Sequence, residues 1–292
     1  MRQGIPQIMN ILSIQSQVVY GHVGHQASTF PLQRLGHNVW PAPTVLFSNH
    51  LGWPTYRGEW VEPAKVGELM LGLKDLGVFG QADAILTGYL GDPDMVRAAR
   101  ETVQAARAAN PKLIYACDPV MGDDGKYYVK EELAKAITEG LVGHADILFP
   151  NLFELKHLTG ITVNTTKDAI AAIRALKRKT GAEIVLATGV PDETDPGYIS
   201  ALALNDDGIW QATGPRYRMK TTAAGTGDCF AALFLGRFLP KHDLSYALGN
   251  AVAGMSRICG LTAAKIAVEL QIVETQDGWS KDEAKLNVQK IA

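Results

Sequence analysis

The 292-residue chain is short of cysteine and shows little imbalance of charge. Its three cysteines, Cys117, Cys229 and Cys259, are odd in number and widely spaced. That pattern argues against a disulfide framework and a Cys-x-x-Cys metal site, and it fits a reducing, cytoplasmic compartment. Lys and Arg number 28 against 30 Asp and Glu, a formal net charge of −2. No global field therefore draws the chain to nucleic acid. No apolar run reaches the ~20 residues that a bilayer-spanning helix requires. The opening residues, Met1-Arg2-Gln3-Gly4-Ile5-Pro6-Gln7, lack a long apolar stretch, so no secretory signal is read. No low-complexity linker, charge block or internal repeat divides the sequence. One domain over residues 1–292 is expected, with its core at about 8–265.

What is present is a 47% hydrophobic composition arranged as short apolar strands alternating with amphipathic helices. Strands are predicted at Ile8–Ile14, Asn38–Leu46, Asp83–Leu86, Leu113–Cys117, Ile147–Phe149 and Glu183–Ala187. Helices are predicted from the Gly21/Gly24 loop to Leu35, over Pro63–Leu76 and Pro93–Ala109, after Pro150-Asn151, and over Asp168–Lys179. Tyr198–Leu204 and Gly208–Ala212 read as a hairpin across Asn205-Asp206-Asp207-Gly208. Cys229–Leu239 is apolar on nearly all sides, the mark of a helix buried in mid-domain. A last helix covers about Leu244–Ala263. This alternation predicts a mostly parallel sheet with helices on both faces.

The sharpest motif is Ala224-Gly225-Thr226-Gly227-Asp228. Two glycines let the backbone turn tightly and approach a ligand, and their N–H groups open a buried helix. That is an anion site strengthened by exclusion of water. A carboxylate beside it would repel bound phosphate, so Asp228 makes sense as a base that takes a proton from an attacking hydroxyl. The plainer reading makes Asp228 a first-turn acid favoured by the helix dipole, and spacing alone leaves both open. The dinucleotide fingerprint is incomplete, because Phe230 stands where a third Gly belongs. A P-loop is rejected as well: the run from Gly214 to Lys220-Thr221 has Met219 in place of the glycine before Lys.

Asp118, in Cys117-Asp118-Pro119-Val120-Met121-Gly122, follows a strand's C-terminal end, where α/β sheets place ligands. It could equally be a turn residue before Pro. Asn151 and Glu154 have the spacing of a capping box. Beside Asp118 and Asp228 their oxygens also suit Mg²⁺, which uses few carboxylates and keeps waters. His22-Val23-Gly24-His25 has a crude metal-like spacing, but no third ligand stands in obvious relation to it. A loop role is read there instead of zinc.

Taken in order, these blocks resemble the ribokinase-like superfamily and, more narrowly, the pyridoxal kinases, over about Ile11–Gly260. The narrow resemblance rests on Ile14-Gln15-Ser16-Gln17-Val18-Val19-Tyr20-Gly21-His22-Val23-Gly24, Phe47-Ser48-Asn49-His50, Gly88-Tyr89-Leu90-Gly91 and the Asp118 block. It implies a three-layer α/β/α sandwich and ATP-dependent phosphorylation of the 5′-hydroxyl of pyridoxal. Ser16 would bond the pyridine substrate, with Val23, His50, Leu51 and Tyr89 around it and Asp228 as base. Gly225, Thr226 and Gly227 would hold the transferring phosphoryl. Asp118, Phe149, Glu154, Thr188 and Thr226 would serve ATP, and Asp118, Asn151 and Glu154 would serve Mg²⁺. The resemblance also implies a monovalent cation such as K⁺, a homodimer, and a flap near Asp123–Tyr128.

Two departures stand out. Leu51 occupies a position where many relatives carry Thr, which contacts the ring. The flap reads Gly125-Lys126-Tyr127-Tyr128, without the Cys that in some bacterial relatives engages the aldehyde. Two alternatives stay open: a hydroxymethylpyrimidine kinase or other small-alcohol kinase, and a non-catalytic vitamin-binding protein.

Overall fold

A computed structural model describes residues 7–123, 125–219, 224–282 and 287–292. In chain order its elements are β1 (Asn10–Val18), α1 (His25–Arg34), β2 (Asn38–Phe47), β3 (Gly58–Trp60), α2 (Pro63–Asp75), β4 (Ala84–Thr87), α3 (Pro93–Ala109) and β5 (Ile114–Cys117). There follow β6 (Gly122–Asp123), β7 (Lys126–Tyr127), α4 (Glu131–Gly140), β8 (Ile147–Leu148), α5 (Leu152–Thr159), α6 (Thr166–Thr180) and β9 (Ile184–Pro191). The chain closes with β10 (Tyr198–Asn205), β11 (Gly208–Pro215), α7 (Thr226–Lys241), α8 (Leu244–Ala264), α9 (Gln276–Trp279) and β12 (Val288–Lys290). Lys220 and Thr221 of the rejected P-loop, and Asp124 of the flap, lie outside the described residues.

One sheet runs β12-β11-β10-β9-β8-β5-β4-β1-β2-β3. Its six middle strands, β9 to β2, pair in parallel, and antiparallel strands extend both edges. Side chains alternate between two cores, as the period of two along a strand dictates. Leu12, Ile85, Tyr115, Leu148 and Val185 face the layer of α2 to α6. Ile11, Leu86, Ala116, Ile147 and Leu186 face the layer of α1, α7 and α8. The expected α/β/α sandwich follows. Buried Leu270, Ile272 and Trp279 and the added strand β12 carry the packed structure past residue 265, where the sequence placed the end of the core.

The chain leaves β1 toward β2 on one side and later toward β4 on the other. This topological switch opens a crevice at the C-terminal ends of the strands. Strand β1 is longer than its apolar run, because Ser13, Gln15 and Ser16 are buried within it. The pairing of β1 with β2 slips between Gln15↔Pro43 and Gln17↔Leu46, so Thr44 and Val45 together stand against Ser16. Such bulges re-aim side chains beside functional clefts. Pro41 and Pro43 are tolerated because β3 pairs only with Val45–Phe47.

Candidate active site

A cleft of about 2210 Å³ crosses the C-terminal ends of the parallel strands. At one end, Ser16, Val23, Val45, Phe47, His50, Leu51 and Tyr89 line it together. The β2 bulge builds this end. Val45 packs with Val18, Phe47, Val23 and Tyr89, while the Thr44 hydroxyl donates to the Tyr89 carbonyl at 2.7 Å. Gly24 is required beside Ser16: a Cβ there would lie 2.3 Å from Ser16 Oγ and 2.2 Å from its carbonyl oxygen. The structure thus brings together all five residues expected to surround the pyridine ring.

Asp228 lies at the third position of α7, whose first residues Thr226 and Gly227 also line the cleft. The first-turn amides of a helix lack carbonyl partners within it, so they point at a ligand. Gly225 precedes the helix at φ 84°, where a Cβ would lie 1.7 Å from the His22 carbonyl oxygen. Only glycine lets the two loops approach so closely. Asp228 Oδ2 accepts the Gly24 N–H at 2.8 Å, which ties the start of α7 to the start of α1. Burial pushes the Asp228 carboxyl above its ordinary range, and the Gly24 bond partly opposes this.

Asp118, just past β5, faces the same helix end: a Cβ on Gly227 would sit 3.4 Å from its Oδ2. Burial, then the charges of Glu154 and Asp228, push its carboxyl well up. Glu154 and Asn151 form a capping box on α5. Glu154 Oε2 accepts the Asn151 N–H at 3.0 Å, and its Oε1 accepts the Met121 N–H at 2.9 Å. Asn151 Nδ2 donates to the Gly122 carbonyl at 2.7 Å. The cap therefore also anchors the hairpin of β6 and β7, the expected flap. Burial outweighs these donors and holds Glu154 at about 8. A cation bound there would offset the mutual repulsion of Asp118 and Glu154 and let both ionise, so their oxygens suit Mg²⁺. Among the described residues no three His, Cys, Asp or Glu side chains converge to hold a metal alone. Phosphate oxygens and waters would complete such a site.

Beyond the acids the cleft runs past Thr188 in β9, which bridges to Asn151. Its far walls carry apolar Ile199, Ala201, Pro215, Tyr217, Val252 and Met255 beside polar Ser200, Arg216, Arg218 and Ser256. Phe149 is not part of them. It is 4% exposed and packs edge-on against Phe234 of α7, a core position instead of the nucleotide contact expected. His25 is also a core residue, its Nε2 3.0 Å from the Ser13 carbonyl oxygen. The sequence reading missed Glu269, which binds His22, His50 and Trp53 at the ring end. No periodicity surrounds it, and only folding brings it to the cleft.

The fold and this cleft define a small-molecule kinase of the ribokinase-like class. The sequence profile described as phosphomethylpyrimidine kinase matches residues 74–266. A pyridoxal kinase PdxY of Corynebacterium diphtheriae is 38% identical over 286 residues, 97% of this chain and 100% of the relative. Another, of Deinococcus radiodurans, is 41% identical over 277 residues, covering 93% of each. A pyridoxal kinase from Leishmania donovani, solved with ADP and pyridoxamine, aligns with a TM-score of 0.89 at 31% identity, over 97% of this chain and 99% of that one. The chain belongs to the phosphomethylpyrimidine kinase family and, within it, to the pyridoxal kinases.

Proposed function

We propose that this chain transfers the γ-phosphoryl group of ATP to the 5′-hydroxyl of pyridoxal, giving pyridoxal 5′-phosphate in vitamin B6 salvage. One observation carries the reading. Half-buried Asp228 sits beside the α7 amides, in a cleft that runs from Ser16, His50 and Tyr89 at one end to Ile199, Tyr217 and Met255 at the other. Asp228 takes the hydroxyl proton as the new O–P bond forms. The bond to the β-phosphate oxygen breaks and ADP leaves. The amides of Gly225, Thr226 and Gly227 hold the charge on the moving phosphoryl. The Leishmania enzyme's complexes with ADP and pyridoxamine or pyridoxine support this pairing of ligands and make both vitamers candidate substrates.

Asp118 and Glu154, with Asn151, are the residues that would hold Mg²⁺, which when bound neutralises phosphate charge. Thr188 would contact the phosphates, and a monovalent cation such as K⁺ would assist. The working protein is read as one cytoplasmic domain that forms a homodimer. Val19, Tyr20, Leu46, Tyr56 and Trp60 are exposed apolar side chains near the free β3 edge, and they suit such an interface.

The test is steady-state kinetics on pyridoxal, pyridoxine and pyridoxamine with wild type and Asp228→Asn. Loss of a positioned base should cut kcat by ~10²–10⁴. Undiminished turnover in the folded variant would remove Asp228 from this role. Hydroxymethylpyrimidine belongs in the panel, because the matched family profile and Leu51 favour it as the second reading. Turnover of that alcohol with none of pyridoxal would select it. Tight pyridoxal binding without ATP consumption would select a non-catalytic binder.

A further inference from the structure

Glu269 lies in the segment after α8, outside the residues to which the chemistry assigns a role. Three N–H groups from two other loops converge on its carboxylate. The His22 N–H reaches Oε2 at 2.9 Å, and His50 Nε2 and Trp53 Nε1 reach Oε1 at 3.1 and 3.0 Å. Gly21 makes the approach possible, since a Cβ there would lie 2.7 Å from Oε2. The side chain is only 11% exposed.

The donors fix the state of His50. Its Nδ1 accepts the Gly52 N–H at 3.2 Å, so Nε2 carries the hydrogen and donates to Glu269. Both ring nitrogens are thereby used within the protein. His50 can offer the substrate a ring face and a fixed wall, but no free nitrogen. Trp53 is held similarly, through the only hydrogen that its indole can donate. His50, Leu51, Gly52 and Trp53 line one wall of the ring end, and Val23, next to His22, lines another. Tyr20 meets Trp53 edge-on at 5.9 Å and adds a contact between the same two loops.

We propose that Glu269 is a positioning residue for the vitamin: it staples the 49–54 segment to the 21–24 loop and so sets the width and affinity of the ring pocket. The proposal rests on the kinase reading for its substrate, though not for the staple itself. Separating the loops would leave a shielded carboxylate without its donors, which is costly. The acidic Glu269 carboxyl agrees with this. Partial burial pushes it up, but the bonds from His50, His22 and Trp53 prevail and hold it at about 2.

Glu269→Gln removes the charge and turns an amide N–H₂ toward a ring of donors. Hydrogen–deuterium exchange at residues 21–23 and 50–53 should speed up in this variant. The KM for pyridoxal should rise roughly 10-fold, the effect of losing one hydrogen bond to a charged acceptor. The KM for ATP and kcat at saturating pyridoxal should stay within about threefold, because the Gly24 N–H bond that holds Asp228 is kept. Trp53→Phe keeps the ring and Glu269 but deletes one donor, and should give a smaller change of the same kind. Unchanged exchange in the 50–53 segment would overturn the staple. Faster exchange with an unaltered pyridoxal KM would overturn its role in substrate positioning. A wild-type protein inactive on pyridoxal would count against the functional reading instead.

Discussion

Two side chains at the start of the site, half-buried Asp228 and buried His25, titrate in opposite senses. Asp228 is pushed above the ordinary 3.8 by burial. As a base it works only when ionised, so the acid limb of the kcat–pH profile should lie above that of an exposed aspartate and vanish with Asp228→Asn. His25 is pushed down to about 4, because burial disfavours its cation and the Ser13 carbonyl only partly compensates. Among the described residues its Nδ1 has no hydrogen-bond partner, so a second ring proton would be stranded. Between pH 6.5 and about 4 the unfolded chain binds the proton that the folded chain refuses. Stability therefore rises with pH across that window, by up to about 3 kcal/mol from this group. Urea titrations at pH 4 and pH 7 should show the difference, and His25→Gln should flatten it. Neither effect is written in the local sequence: spacing left Asp228 open between base and first-turn acid and gave His25 a loop role, and burial is what shifts their titration.

At the scale of elements, helix starts do the functional work. Helices α1 and α7 begin face to face, joined by Gly24 N–H to Asp228, and α5 begins with a capping box that also grips the flap hairpin. The glycine pattern around Asp228 was legible because a tight approach needs glycine whatever the fold. Its partner was not, since 204 residues separate Asp228 from Gly24. Gly225→Ala combines a positive φ with a 1.7 Å clash against His22. It should cost more than the ~1 kcal/mol usual for a glycine at strained φ, and kcat should fall as the amides move. Differential scanning calorimetry alongside kinetics checks both. The capping reading of Asn151 and Glu154 proved compatible with a place in the cleft. A cap that ends at the mouth of a sheet is also a wall of the site.

At the scale of the whole molecule, the sheet order decides where ligands go and which surfaces remain. Leaving β1 in both directions creates the crevice, and antiparallel strands on the flanks finish its walls. The β3 side ends in exposed apolar side chains, Val19 being 84% and Leu46 45% exposed. Buried against a second copy, such a patch would drive association. Light scattering should give wild type twice the monomer mass of 31.5 kDa, and Val19→Glu with Leu46→Glu should return it to one. A monomeric wild type at micromolar concentration would refute the dimer. Among the described residues no helix is long and apolar enough to cross a membrane.

The sequence by itself determined the alternation of strands and helices, the buried character of α7, the glycine–aspartate loop and the blocks that mark the family. These are local: periodicity, turn chemistry and steric need for glycine act over a few neighbours. Only the tertiary structure decided that β1 continues through Ser16, that Phe149 belongs to the core, that β2 bulges toward the pocket, and that Glu269 closes the ring end. Each of these depends on what is buried against what. Polar residues within a strand, or a lone glutamate in an aperiodic tail, gain their meaning only from distant partners.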